Sequence, residues 1–314
     1  MRICTLQELP QGWEASQVLL VHHAFWDSWD PRVLASERYR SEYPAFADYG
    51  GLFAWDRGRI VAGLVVRRIP FRTRHGIRMV AGLGHVATRP DARRRGLARA
   101  LINEAHRRER KRGTAFSLLF TGRAIVAHSL YETMGYHDLF DFPRGTRLIP
   151  ARAPGLARPW RWRPARETDR EPIPVLHACA IRGSYGFTRL GFPWRWEPKD
   201  HFVLEEGSRL RGYAKLERHG SVYDCFEAVA GSLPTRRRLL RALEHQVAGS
   251  WLVLGGNVLR EFVPAMGRTP YTISESSHDV LMAASLSEKM SSRALRHELG
   301  ADSPHFAIGR QDFF

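Results

Sequence analysis

The chain has 314 residues, 44% of them hydrophobic and 25% charged, with a formal net charge of +16. That length suits two domains, each able to bury a sizeable core, and the balance of apolar and charged residues excludes wholesale disorder. No apolar run approaches the ~18 residues of a membrane helix, and the opening MRICTLQELPQGWEA lacks the basic-then-apolar pattern of a secretory leader, so a cytoplasmic protein is expected.

The first element is a helical stretch from about Glu14 to Ser36, with Leu19, Leu20, Phe25, Trp26 and Trp29 among its residues. Strands follow at Leu52–Trp55 and Ile60–Arg67, separated by the hairpin signal Asp56-Arg57-Gly58. A turn at His75-Gly76 leads into a longer strand, about Ile77 to Thr88. Beyond Pro90, Leu97, Leu101 and Ala105 form an apolar stripe at helical spacing, and Gly113 ends that helix. Thr114–Phe120 reads as a buried strand and Ala124–Met134 as a helix.

Residues 141–165 are rich in proline and arginine and read as a connection between domains. The plan then recurs: strands at Phe202–Glu206, Leu210–Arg218 and Val222–Ala230, a helix at about Thr235–Val247 and a strand at Trp251–Leu254. This recurrence is the pattern of a diverged tandem duplication, with coincident hairpins as the alternative. The division expected is 1–150, a linker at 151–165, and 166–314.

Of the 48 basic residues only Lys111, Lys199, Lys215 and Lys289 are lysines, and the arginines run along the whole length. A dedicated nucleic-acid surface is therefore the less favoured reading, although such a surface attracts anions in general. The three cysteines, Cys4, Cys179 and Cys225, have no metal-ligand spacing, so neither a metal site nor a disulfide is expected.

The segment Val86–Ala98 carries the chemistry. It joins a strand to a helix, Gly96 lets backbone approach a ligand, and the helix start offers unpaired N–H groups and the positive end of its dipole. An anion site at that turn follows from these features; a solvated basic helix start is the plain alternative. Arg93-x-x-Gly96-x-Ala98 resembles the pyrophosphate loop, Arg/Gln-x-x-Gly-x-Gly/Ala, of the GNAT superfamily of N-acetyltransferases. Tyr131-Glu132-Thr133-Met134-Gly135-Tyr136 is similar to the same family's Tyr-x-x-x-Gly-Phe/Tyr.

The resemblance implies an α/β (α+β) fold of two tandem GNAT-like acyl-CoA N-acyltransferase domains, each a mixed, mostly antiparallel sheet flanked by helices. It implies acetyl-CoA as co-substrate, an amine as acceptor, and no metal. The cofactor would lie on Arg93, Arg94, Arg95, Gly96, Leu97, Ala98 and Arg99, with its pantetheine arm along the backbone of Val86, Ala87 and Thr88. Tyr131 would protonate the departing thiolate, chemistry open to a phenol of pKa ~10 facing a thiol of pKa ~8.5. Ala124 stands where many members have asparagine.

The base is less defined. The positions where many GNAT enzymes carry Glu or His on the strand entering the loop are Gly82 and Gly84. His85 points to the opposite face unless a bulge intervenes and is read as structural. His128, three residues before Tyr131, is read as a surface histidine. The loop, the helix with His106, and a second half lacking the loop are similar to the enhanced-intracellular-survival (Eis) acetyltransferases. That likeness implies that the terminal carboxylate, here of Phe314, acts as base; a tail closing the second domain's sheet is the alternative. Those relatives carry a sterol-carrier-like domain for which too little chain remains here.

The second half reads Ala230-Gly231-Ser232-Leu233-Pro234-Thr235 at the matching turn and so lacks a phosphate cradle; its Glu227 is read as structural. This half is expected to shape the acceptor pocket or an oligomer interface, with Trp26, Trp29, Trp194 and Trp196 as candidate lining. A non-catalytic acyl-CoA sensor is the competing function.

Overall fold

The computed structural model describes residues 1–25, 46–187, 198–267, 271–275 and 278–308. Trp26, Trp29, Trp194, Trp196 and Phe314 lie outside the described residues. The first elements are β1 (Arg2–Thr5), α1 (Trp13–Phe25), β2 (Phe46–Asp56), β3 (Arg59–Thr73) and β4 (Gly76–Thr88). The helix α2 (Leu97–Lys111), β5 (Phe116–Gly122), α3 (Val126–Glu132) and β6 (His137–Asp141) come next. Each expected element of this half is present; the strands run longer than their apolar cores because backbone pairing extends past the buried residues. The expected helix Glu14–Ser36 is described only to Phe25.

The stretch read as a connection instead holds two strands, β7 (Arg144–Leu148) and β8 (Trp160–Pro164). Their alternating arginines obscured them, because a half-exposed strand carries polar residues on one face. Then follow α4 (Pro172–Ala180), β9 (Tyr185–Phe187), β10 (His201–Glu206), β11 (Arg209–His219), β12 (Val222–Ala230), α5 (Leu233–Gln246) and β13 (Trp251–Gly255). The chain continues with α6 (Asn257–Met266), β14 (Thr272–Ser274), β15 (Asp279–Ser285), α7 (Ser292–Glu298) and β16 (Phe306–Ala307).

Two mainly antiparallel sheets result. The first runs β1-β2-β3-β4-β5-β15-β6, with β9 on β3 and β16 on β9; the second runs β14-β7-β13-β12-β11-β10-β8. Each has a parallel step across a helical crossover, β4 to β5 through α2 and β12 to β13 through α5, and β16 also lies parallel to β9. The halves also trade strands. β15, from the end of the chain, enters the first sheet between β5 and β6, while β7 enters the second between β13 and β14. The boundaries 1–150, 151–165 and 166–314 therefore do not separate the two sheets.

Burial explains the exchange. Val280 to Ala284 are each at most 2% exposed and join the first sheet's core with Leu83, Leu119 and Tyr131 on one face and Leu118, Leu139 and Phe140 on the other. The last described strand, Phe306–Ala307, lies on β9 in the first sheet, and the final residues, to which both readings of the tail apply, lie outside the described residues. A second core, around Leu239, Leu243, Leu252 and Phe262, lies under α5 and α6.

Candidate functional site

The turn before α2 is built to leave backbone donors open. Pro90–Ala92 makes one 3-10 turn, pinned by buried Ala92 and by Asp91, which pairs with Arg89 and Arg59 at 3.1 Å each. Arg94 then takes φ +61° and Gly96 φ +72°, the left-handed region that a side chain resists and glycine adopts freely. Gly96 is the N-cap of α2 with no side-chain cap, so the first N–H groups of the helix have no intrahelical acceptor. A Cβ at Gly96 would meet nothing within 4 Å.

Arg93, Arg94, Arg95 and Arg99 are exposed around the turn, while Leu97 is buried and anchors it. Arg95 pairs with Asp56 at 3.1 Å and Arg99 donates to Thr133 Oγ1 at 2.7 Å. Among the described residues Arg93 and Arg94 make no ion pair, which leaves two guanidinium groups beside an open helix start.

The second feature is a wedge between β4 and β5. Their parallel pairing stops at Leu83 with Leu119. On the other edge of β4, Gly63 pairs with Ala87 and Val65 with Gly84, so Leu64 alone faces His85 and Val86. This bulge puts His85 at φ +50°. A bulge re-aims side chains and ends pairing, and the alternation that turned His85 away from the site no longer holds. His85 lines the cavity, in edge-to-face contact with Phe25 at 5.7 Å. Gly82 and Gly84, where the resemblance would have set a base, flank Leu83; the register shift that brings in His85 left no trace in the sequence.

A cavity of about 690 Å³ opens at this wedge. On the face shared with α2 and α3 it is lined by Val86, Thr121, Ile125, Ala127 and Tyr131. Across the sheet it is lined by Phe120, Phe142, Arg144 and Asp279, and by Asp224, Phe226, Gly255 and Gly256 of the second half. Ile308, the last described residue, also lies in its wall. Tyr131 is 5% exposed and burial pushes its phenol up to about 12. It therefore keeps its proton throughout the physiological range.

Other residues singled out from sequence are tied up in packing. His128 Nε2 meets Asp138 Oδ1 at 2.8 Å, and Asp138 is held in turn by Arg123 at 2.8 Å. His106 is buried and meets the Tyr136 hydroxyl at 2.8 Å, which lies 2.6 Å from Ser117 Oγ. Glu227 is buried and accepts from the Tyr213 hydroxyl at 2.7 Å. All three hold elements together.

The second half repeats the scaffold with its site closed. Lys215 pairs with Glu227 and Glu217 with Asp224, so Leu216 faces Cys225 and Phe226 in the same bulge as in β4. Yet β12 and β13 stay paired through Cys225 and Leu254, and the Phe226 ring lies on Gly255 where the wedge would open. The matching helix is capped by its own Ser232 hydroxyl, which accepts from Thr235 N–H at 3.3 Å. Pro234 removes another donor from that turn.

Residues 17–138, which span the wedge, the turn and Tyr131, match the family model for the acetyltransferase (GNAT) domain. This half is a GNAT acetyltransferase domain. The whole chain is also similar in fold to a probable N-acyltransferase from Enterococcus faecalis V583, with a TM-score of 0.64 at 16% identity over 90% of this chain and 72% of that one. A GCN5-related N-acetyltransferase from Kribbella flavida gives 0.63 at 16% identity, over 91% and 72%. Eis1 from Mycobacterium abscessus gives 0.63 at 14% identity, over 91% and 74%. At such identities the likeness is one of fold, and it spans both halves. No curated protein matches the chain significantly. Among the described residues no group of three or more His, Cys, Asp or Glu side chains is set to hold a metal, and no helix is long and apolar enough to cross a membrane.

Proposed function

We propose that this GNAT enzyme transfers an acetyl group from acetyl-CoA to a primary amine at the wedge between β4 and β5. The observation that carries the reading is the pairing of an open, arginine-flanked helix start at Gly96 with a splayed strand pair that ends at a buried phenol, Tyr131. The cofactor fits the residues present. The Arg93–Arg99 turn offers backbone donors and two unpaired guanidinium groups to a pyrophosphate, and Val86, Ala87 and Thr88 offer an edge for the arm.

Acetyl-CoA supplies the activated acetyl thioester. In this reading the Val86 N–H would polarise the carbonyl, and the Tyr131 hydroxyl would give its proton to the sulfur as the C–S bond breaks. The amine enters from the face walled by the second half, where Asp224 brings a carboxylate to the cavity. Asp279 there is paired with Arg144 at 3.2 Å. That Asp224 carboxylate, 3.6 Å from the His219 ring, is the acidic group this face offers an amine. Further readings for the chain are a cytoplasmic location and assembly as a homo-oligomer.

The proposed base is the Phe314 carboxylate, a reading supported by the place of Ile308 in the cavity wall. His85 is the second reading, favoured by the bulge that turns it into the cavity. The test is thiol release from acetyl-CoA with a panel of mono- and polyamines. Turnover with at least one amine supports transfer, and CoA binding with none would leave an acyl-CoA sensor. Deleting Phe313 and Phe314 is expected to lower kcat about 10²-fold or more, whereas a loss seen only in His85→Gln assigns the base to the histidine.

A further inference from the structure

We propose that Thr121 is a positioning residue for the donor, its hydroxyl hydrogen-bonding the amide of the thioester arm nearest the sulfur; this rests on the acetyl-CoA reading above. Thr121 Oγ1 is buried and has no hydrogen-bond partner among the described residues. The residue is 8% exposed and lines the cavity. A buried hydroxyl left unpaired weakens a fold, so such groups are rare unless something binds them.

Register places it at the reacting end of the wedge. Val80 pairs with Phe116 and Leu83 with Leu119, so the same parallel offset, continued past the last pair, sets Thr121 across from His85 in the bulge. Its cross-strand partner Val280 and its neighbour at i−2, Leu119, both pack in the cluster that contains Tyr131. Alternation therefore turns the Thr121 side chain to the Tyr131 side of the sheet, away from the acceptor wall.

The second half supplies an internal control. Cys225, at the bulge position of β12, pairs with Leu254, and a glycine follows Leu254 as Gly122 follows Thr121. Where the wedge is closed by Phe226, the equivalent residue is a fully buried leucine with no polar group to satisfy. Where the wedge is open, it is a threonine.

The test uses the full chain, calorimetric titration and ligand-free melting of wild type, Thr121→Val and Thr121→Ser. Two probes are compared: CoA, which has the arm, and adenosine 3′,5′-bisphosphate, which lacks it. Thr121→Val should bind CoA about tenfold more weakly, bind the bisphosphate as wild type does, and melt roughly 1–3 °C higher without ligand, since an unsatisfied hydroxyl is gone. Thr121→Ser should restore CoA affinity. Unchanged CoA affinity in Thr121→Val, an equal loss on both probes, or a lower melting temperature would overturn the assignment while leaving the donor site in place. Failure of the wild type to bind either probe would overturn the donor site and this assignment together.

Discussion

Replacing Gly96 by glutamate and, separately, by glutamine separates charge from bulk at the turn before α2. Both side chains take the same φ of +72°, which costs a non-glycine residue about 1–2 kcal/mol. Both variants should thus melt about 2–6 °C below wild type and equally so. In either variant the added Cβ has nothing within 4 Å. The glutamate alone brings a negative charge to the helix start. At a separation of about 6 Å from a phosphate charge, repulsion is about 0.7 kcal/mol in bulk water and about 2.8 kcal/mol at the effective dielectric of a protein surface. CoA should therefore bind Gly96→Glu about 3- to 100-fold more weakly than Gly96→Gln by calorimetry. The gap should narrow as salt rises from about 0.05 to 0.5 M. Equal affinities for the two variants, or a gap indifferent to salt, would refute a phosphate on this turn.

Two further outcomes follow from buried rings. Tyr131→Phe should lower kcat about 10²- to 10³-fold with CoA affinity unchanged in a titration, since only the proton donor is lost. Because the Tyr131 phenol lies near 12, the wild type should show no loss of this proton below about pH 11; an alkaline limb that vanishes in Tyr131→Phe but is centred near 10 would contradict the burial argument. Burial, reinforced by Arg110, holds His106 down to about 4 from 6.5. The unfolded chain then binds the extra proton first as pH falls, so stability is present above 6.5 and lost between 6.5 and 4, by about 2–3 kcal/mol. Urea unfolding at pH 7 and 4.5 should show that loss in wild type and a smaller one in His106→Gln; equal losses would place the acid sensitivity elsewhere.

The arginine-flanked turn before α2 and the Tyr131 segment were legible because each is written in neighbouring residues. A glycine at a left-handed helix cap, a proline one turn earlier and an apolar stripe at helical spacing act within a dozen positions. The duplication was legible for the same reason, since hairpin turns and strand alternation are local. Even the closed second turn could be read, as Ser232 and Pro234 occupy the donors that Gly96 leaves open.

Tertiary structure alone decided the rest. One residue facing two across β3 and β4 is a property of the pair, so His85 in the cavity wall could not be seen from β4 by itself. Nor could the traded strands: β15 reads as an apolar run that fits either sheet, and its place between β5 and β6 follows from which core it can fill. That choice brings Asp279 and Ile308 to the cavity and sets Asp224 and Phe226 opposite Tyr131's half of the molecule. Sequence specifies elements through contacts a few residues apart, whereas a site walled by both halves forms only when chain segments more than a hundred residues apart compete for the same buried surface.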